Sequence, residues 1–396
     1  MVSNRAEALV ARPPAIAAAH LRAEADPYHP ARNPRGYLNL GIAENRLVWD
    51  LLAPRLRAEL SPEDVRYGPL HGSTALRDVT ADLLTGVWRT KVDPDHLVVV
   101  SGASAALDII VSVLCDPGDS IVLAAPYYGA LETLLTARSG ARIVAAPLSS
   151  TDGFVLDARA LERAVDASTR AIVLTSPCNP TGNVHAAAAL RQVLAVAERH
   201  DLDVIADEIY ANSAFGGDFV SVLDPRVRGG SRARLHVIWG FAKDFGLSGL
   251  KVGVLHTSDP STLAAARALA YFAPVSTETQ ALLTGLLDER AWVRRFLATN
   301  RTLLADSYRH AAATLDSYAI PYLPARAGFS VWMDLRAWVR EGGELLLANE
   351  ILDRARVNLT PGAAFGCREP GWFRLCHTTA PELVAEGVRR IAVVLG

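Results

Sequence analysis

Four residues, Asn179, Asp207, Tyr210 and Lys243, have side chains and a spacing that could serve one reaction centre. They stand in three segments, Asn179-Pro-Thr-Gly182, Asp207-Glu-Ile-Tyr210 and Trp239-Gly-Phe-Ala-Lys243-Asp-Phe-Gly-Leu-Ser-Gly249. A lysine amine can bond to an aldehyde, a carboxylate can keep a pyridinium nitrogen protonated, and an amide and a phenol can donate hydrogen bonds to a phenolate oxygen. The three segments in this order predict a site for pyridoxal 5'-phosphate (PLP), with Lys243 and Tyr210 as catalytic residues.

Two further segments are predicted to bind the phosphate and the pyridine ring of this cofactor. Ser101-Gly-Ala-Ser-Ala-Ala106 lies between a predicted strand and a predicted helix. We expect Gly102, Ala103 and Ser104 to bind the phosphate through backbone amides, because a helix N-terminus favours an anion. Taken alone, such a turn more often serves packing than anion binding. The PLP lysine downstream makes anion binding the favoured interpretation. Tyr128 is predicted to stack on the pyridine ring, the alternative being an aromatic pair at a domain edge.

Arg374 lies within an apolar predicted strand, Phe373-Arg-Leu-Cys376. A guanidinium in that position can bind an α-carboxylate through two parallel hydrogen bonds. A salt bridge in the core is the alternative for Arg374, and a helix cap or surface acid is the alternative for Asp207. With the PLP residues, Arg374 predicts an amino acid as substrate.

Short β-branched runs alternate with helical periods through the middle of the chain, which predicts an α/β fold with a mainly parallel sheet covered on both faces. The predicted strands cover 96–100, 120–124, 171–175, 203–206, 236–239 and 252–256, and the predicted helices 104–114, 130–137 and 186–199. Asn179, Asp207 and Lys243 all follow strand ends, where such sheets bind their ligands.

From Ser276 onward the pattern changes to long amphipathic helices, 276–287 and 290–315, and then to strands near 328–335 and 372–377. We predict a smaller α+β domain over 276–396, joined by an N-terminal segment, 1–45. The large PLP-binding domain is expected over 46–275.

The chain has 396 residues and a net charge of −2, with a sequence pI near 6.6. Its apolar runs are too short for a membrane span, and its charge gives no reason to expect nucleic acid as a partner. Arg5, Glu7 and Arg12 interrupt the region where a secretion signal needs an apolar core. Four cysteines lack metal-ligand spacing. We therefore predict a cytoplasmic protein without a metal site.

With these residues placed, the chain resembles the fold-type I PLP enzymes and is most similar to 1-aminocyclopropane-1-carboxylate (ACC) synthases. The segments that carry the resemblance are Asp26–Gly36, Gly41-Ile-Ala-Glu-Asn45, Lys243–Gly253, Ala327–Leu335, Val357–Gly362 and Glu369-Pro-Gly-Trp-Phe-Arg-Leu-Cys376. The resemblance implies a seven-stranded, mainly parallel sheet between helices, and a homodimer with shared active sites. It also implies S-adenosylmethionine as substrate, with Arg374 at its carboxylate, Glu44 near its sulfonium and Ala43 beside it.

The chain departs from the family pattern at the cofactor and at the substrate. Leu70 stands where the family has a tyrosine that reaches the neighbouring subunit's cofactor and takes part in ring closure. Gly240 and Ala242 replace two serines, and Lys251 replaces the arginine that binds the phosphate. Leu70 favours γ-replacement or annulation with a second small substrate, in specialised metabolism, over cyclopropane formation.

Two other functions compete with this interpretation. A class I/II aminotransferase would share every cofactor residue and Arg374, whereas Glu44 and the Glu369–Arg374 run favour the ACC synthase-like reaction. The other hypothesis is a non-catalytic regulator or scaffold with the PLP fold. The retained Lys243 and Asp207 argue against it.

Overall fold

The computed structural model describes residues 2–3, 6–7, 10, 15–57 and 61–396. Arg5 and Arg12, on which the prediction about secretion partly rests, lie outside the described residues. The strands are β1 (Leu38–Asn39), β2 (Leu97–Val100), β3 (Ser120–Ala125), β4 (Arg142–Pro147), β5 (Thr169–Thr175), β6 (Asp203–Asp207), β7 (Arg234–Gly240), β8 (Gly253–Thr257), β9 (Tyr322–Leu323), β10 (Ser330–Asp334), β11 (Val357–Asn358), β12 (Thr360–Pro361) and β13 (Trp372–Cys376).

Helices cover the large sheet and make up most of the remaining regular structure. In the described part of the chain, the α-helices are α1 (Ala15–Ala25), α2 (Trp49–Leu52), α3 (Thr74–Trp88), α4 (Ala103–Leu114), α5 (Leu131–Thr136), α6 (Ala158–Arg163), α7 (Ala187–Arg199), α8 (Pro225–Arg228), α9 (Phe241–Asp244), α10 (Pro260–Leu269), α11 (Thr277–Asp288), α12 (Arg290–Ser317), α13 (Gly343–Glu350) and α14 (Pro381–Leu395).

The large sheet has seven strands in the order β2-β8-β7-β6-β5-β3-β4, and only β8 runs antiparallel to its neighbours. The predicted fold class is therefore confirmed. The sequence analysis missed β4, an edge strand whose residues are mostly half-exposed. It starts with Arg142 and ends with Pro147, so its apolar run is shorter than that of the neighbouring β3.

Both faces of this sheet are buried, as a mainly parallel sheet requires. Along β3, Ile121 and Leu123 join the core that α4 covers, while Val122 packs in the core on the other face. Helix α7 covers that second face with Leu190, Val193, Leu194 and Ala197, which share one side of a helix. The sheet is thus packed between two cores, and the ends of its strands can position polar groups.

A second, smaller sheet has the order β12-β13-β10-β9, and all of its pairings are antiparallel. A separate apolar core packs beneath it and includes Val331, Phe373 and Val388. The N-terminal strand β1 pairs in parallel with β11, which is consistent with an N-terminal segment that joins the small domain. The domain boundaries near 45 and 275 remain predictions.

In the residues that the structure describes, no helix combines the length and the apolar character needed to cross a bilayer.

Candidate active site

The polar segments meet along one edge of the large sheet, the line formed by the carboxyl ends of its parallel strands, which all point the same way. Strand β6 ends at Asp207, β5 ends four residues before Asn179, and β7 ends three residues before Lys243. The antiparallel β8 begins at this same edge, where Gly253 pairs with both Gly240 and Val100. Lys251, two residues earlier, therefore also lies at this edge.

Lys243 lies in the single-turn helix α9, and its Nζ donates a hydrogen bond to the Ala43 carbonyl oxygen at 2.6 Å. Burial and, to a lesser extent, the Arg374 guanidinium lower the pKa of this amine to about 8. Glu44 and Asp207 raise the same pKa. An amine with this pKa is deprotonated far more often at neutral pH than an exposed lysine, which suits a nucleophile and a general base.

Asp207 is buried at 2% exposure, so it is not a surface acid. Among the described residues, its carboxylate accepts one hydrogen bond, from the Ile209 amide N–H at 3.3 Å. Burial raises its pKa to about 6. A buried carboxylate with so few hydrogen-bond partners destabilises the folded protein unless a cation lies opposite it. The pyridinium nitrogen of PLP fits that need.

Arg374 connects the small sheet to Asn179. Its Nη1 donates to Asn179 Oδ1 at 3.0 Å, and its Nη2 donates to the Gly41 carbonyl oxygen at 2.6 Å. Its Nε is buried and has no hydrogen-bond partner in the described part of the structure. No described carboxylate pairs with this guanidinium, so the structure does not contain the core salt bridge that was the alternative. The free Nε–H can serve a substrate carboxylate.

Tyr210 and Tyr128 complete the ring-binding part of the candidate site. Tyr210 is buried against Phe329, with ring centroids 5.1 Å apart and the rings perpendicular. Burial raises the pKa of both phenols, so each hydroxyl keeps its proton as a hydrogen-bond donor. Asp207 raises both pKa values and Arg374 lowers both, so the two phenols lie within electrostatic range of these charges.

The predicted phosphate turn precedes helix α4, whose first residue is Ala103. Gly102 has φ +91°, a left-handed value that favours glycine. Lys251 lies directly beside it, with its Nζ 3.7 Å from where a Gly102 Cβ would be. Ser104 is exposed, which leaves the helix N-terminus open. A helix N-terminus with an adjacent ammonium fits a phosphate.

The substrate loop, residues 41–46, lies over Lys243. Thr378 Oγ1 donates to the Glu44 carbonyl oxygen at 2.6 Å, and the Glu44 carboxylate accepts from Arg46 Nε at 3.1 Å. The Glu44 side chain is 38% exposed. Because its neighbour Ala43 contacts Lys243, Glu44 is a partly exposed anion close to the lysine.

Leu70 lies in a surface groove whose lining residues do not include Lys243. Leu70 lines an open groove of about 760 Å³ between residues 65–70 and 274–280, and Tyr67 in that groove is fully exposed. This groove borders the phosphate turn, since Ser101 Oγ donates to the Pro274 carbonyl oxygen at 2.7 Å.

Sequence reasoning missed three contributors. The Gly41 carbonyl oxygen and Thr360 Oγ1 hold Arg374, at 2.6 Å and 3.5 Å from Nη2. Asp244, directly after the lysine, anchors the segment that carries it, as described below. An acid next to a predicted active-site lysine was the one signal that could have drawn attention to it.

The chain is similar in sequence to known proteins. A family model for aminotransferase class I and II matches residues 36–391. ACC synthase 3 of Oryza sativa subsp. japonica is 35% identical over 385 residues, covering 89% of this chain and 85% of that protein. ACC synthase 5 of the same plant is 34% identical over 381 residues, covering 89% and 72%.

Among solved structures, the aspartate aminotransferase of Thermus thermophilus with maleate superposes with a TM-score of 0.86. That match covers 100% of this chain and 99% of the other, at 24% identity. At this identity the likeness shows the fold alone.

Proposed function

This chain belongs to the class I and II aminotransferase family and is an ACC synthase-like, PLP-dependent enzyme, and on that premise we propose that it releases methylthioadenosine from S-adenosylmethionine. One observation carries the proposal. Within the substrate loop, the Ala43 carbonyl oxygen accepts from Lys243 Nζ and the Gly41 carbonyl oxygen accepts from Arg374 Nη2. Because the anionic Glu44 directly follows Ala43, an anion and a cation lie close to one amine. S-adenosylmethionine has the complementary pair, a carboxylate and a sulfonium.

Each residue then has a defined role. When bound, PLP supplies an electron sink that acidifies the α-carbon of the attached amino acid. Asp207 would hold a proton at the ring nitrogen, and Asn179 and Tyr210 would donate to the ring oxygen. Lys243 would accept the α-proton at Nζ.

The substrate is oriented by charges at its two ends. Arg374 binds the α-carboxylate, for which its unpartnered Nε–H is available. Glu44 lies near the sulfonium, which favours binding of this cation over an uncharged analogue. The Cγ–S bond then breaks with its electron pair leaving on sulfur, as methylthioadenosine. Proton removal and loss of the leaving group leave an activated four-carbon fragment.

We propose that this fragment is captured by a second small substrate, by γ-replacement or annulation. The support is Leu70, which has no hydroxyl for ring closure. The enzyme would then serve specialised metabolism in the cytoplasm. ACC formation is the other fate of the same fragment.

We also propose a homodimer in which Leu70 of each chain faces the partner's site. Around the groove that contains Leu70, Tyr67 is fully exposed, and nearby Tyr271 and Phe272 are 65% and 71% exposed. Exposed aromatic side chains next to an active site favour an interface.

An aminotransferase acting on an amino acid is the second candidate. The family match and the shared Lys243, Asp207 and Arg374 favour it. Conversion of the cofactor to its amine form by an amino acid alone would identify this activity.

The test is to add S-adenosylmethionine to the PLP-loaded protein, follow the cofactor absorbance and measure methylthioadenosine. We expect a spectral change and release of methylthioadenosine, both absent in Lys243→Ala. Analysis of the four-carbon product then separates ACC from a captured product. Release at the normal rate from Lys243→Ala, or no release from the parent protein, would contradict the proposal.

A further inference from the structure

Asp244 has an unusually well-satisfied buried carboxylate. The residue has no exposed surface. Its Oδ2 accepts hydrogen bonds from Trp239 Nε1 at 2.9 Å and from the backbone and side-chain nitrogens of Asn212 at 3.0 Å each. Its Oδ1 accepts from Ser213 Oγ at 2.8 Å. Four donors on one carboxylate bind α9 firmly to the segment that follows Tyr210.

The backbone of Asp244 makes a second connection. Its carbonyl oxygen accepts from Asn300 Nδ2 at 3.0 Å, and Asn300 Oδ1 accepts from Asn45 Nδ2 at 2.8 Å. Asn300 is fully buried on α12, and Asn45 follows Glu44 in the substrate loop. One residue therefore connects the segments that carry Lys243, Tyr210 and Glu44.

Helix α9 needs such an anchor, because a single helical turn is not stable by itself. Tyr210 is tied to the same network, since its carbonyl oxygen accepts from the Ser213 amide N–H at 2.8 Å. We infer that Asp244 is a positioning residue that fixes Lys243 relative to Tyr210 and to the substrate loop. The inference concerns the cofactor lysine and holds for any amino acid that the enzyme uses.

Asp244→Asn is the informative substitution, because it keeps the shape of the side chain. The amide oxygen can face the three donors now on Oδ2, and the amide nitrogen can donate to Ser213 Oγ. Although burial raises the pKa of Asp244 to about 6, the carboxyl is ionised at pH 8, where the experiment is run. The substitution thus removes the charge that strengthens these bonds.

Asp203→Asn is the matched control. Asp203 is also a buried carboxylate, lying 2.9 Å from His236 Nε2 and accepting from Arg234 Nε at 3.0 Å. It begins β6, whereas Asp207 at the active site ends that strand. The control should lower Tm without reaching the cofactor.

Two readouts on the PLP enzyme need no substrate: the induced circular dichroism of the bound cofactor and the rate of covalent attachment when PLP is returned to stripped protein. The chain has only three lysines, so Lys243→Ala defines the background. For Asp244→Asn we expect about tenfold slower attachment, corresponding to roughly 1.4 kcal/mol, and loss of about half of the induced signal. Asp203→Asn should keep the parent values.

Asn300→Leu separates the two connections of Asp244. It leaves all four donors on the carboxylate and breaks the contact with Asn45, so attachment should stay normal while KM for the amino acid substrate rises. Lowered Tm in Asp244→Asn with parent attachment rate and dichroism would overturn the inference. Equal losses in Asp203→Asn would overturn it as well.

Discussion

Arg374 donates from Nη1 to Asn179 and from Nη2 to Gly41, and its buried Nε–H remains available for a ligand. Guanidinium groups suit such a role because their donors are fixed in a plane, whereas a lysine ammonium is a point charge. The arginine is thus held in place by the protein before any substrate arrives.

Replacing Arg374 by lysine should therefore weaken substrate binding. Loss of one charge-assisted hydrogen bond, about 1.5–3 kcal/mol, predicts a KM for S-adenosylmethionine about 10- to 100-fold higher with kcat little changed. Steady-state kinetics measure both constants. Arg336→Lys, which alters an exposed ion pair with Asp334, is the control. A fall in kcat at unchanged KM would argue against carboxylate binding.

Lys251 should determine how tightly the phosphate is held. Its Nζ lies beside Gly102 at the start of α4, and the resemblance assigns an arginine to this position. We expect Lys251→Ala to raise the PLP dissociation constant about tenfold or more, and Lys251→Arg to lower it. Equilibrium titration of stripped protein with PLP provides the test, with the exposed Lys91→Ala as control. Equal affinities in all variants would exclude Lys251 from the phosphate site.

At the scale of elements, the phosphate turn depends on close backbone packing between β8 and the start of α4. A Cβ at Gly253 would overlap the Gly102 carbonyl carbon and the Ala103 nitrogen. Backbone atoms cannot move aside as a flexible side chain does, so this position accepts only glycine.

Gly253→Ala should displace the N-terminus of α4 and weaken PLP binding by at least tenfold, with a lower Tm. Gly249→Ala is the matched control, because a Cβ there meets nothing within 4 Å. Titration with PLP and thermal unfolding give the two values. Unchanged PLP affinity in Gly253→Ala would show that the turn does not hold the phosphate.

Sequence patterns located the buried strands well and the edge strand poorly. Strands β5, β6 and β7 are buried on both faces, so their apolar runs stand out from the sequence. Strand β4 is half-exposed, and nothing local distinguishes its residues from a loop. The antiparallel direction of β8 was also not predicted, since an apolar run has the same pattern in either direction.

For the whole molecule, Glu208 links stability to pH. It is fully buried, and its Oε1 accepts from Ser221 Oγ at 3.1 Å and the Val222 amide at 2.9 Å. Burial raises its pKa from 4.5 to about 8. The folded state thus binds more protons than the unfolded state between these values. The contribution of Glu208 to the free energy of unfolding is complete below pH 4.5 and is lost as the pH rises through about 8.

The window from pH 6.5 to 8 isolates this residue from the buried histidines. Burial lowers the pKa values of His185 and His256 to about 4 and of His377 to about 3, so these groups affect stability only below pH 6.5. Across the window, the parent protein should lose on the order of 1 kcal/mol more unfolding free energy than Glu208→Gln. Denaturant titrations at both pH values test this. Parallel pH profiles would show that Glu208 does not titrate there.

In the proposed homodimer, Leu70 would affect the reaction through the partner's site. If the groove at residues 65–70 faces a partner's site, Leu70→Tyr should return a hydroxyl to that site and increase the share of ACC among the four-carbon products. Product analysis after reaction with S-adenosylmethionine measures that share, and Leu70→Phe controls for ring size. Equal ACC from both variants would exclude a role for the hydroxyl.

The sequence alone determined the fold class and the cofactor and predicted the residues that hold it, because these depend on residue types at the ends of strongly patterned strands. Tertiary structure alone decided how those residues are held. Lys243 donates to a carbonyl 200 residues away, Arg374 to one 333 residues away, and Asn45 reaches Asn300 across 255 residues. Local patterns contain no information on such pairs. They form only when the large sheet, the small sheet and the substrate loop pack together and bring these buried polar groups within hydrogen-bonding distance.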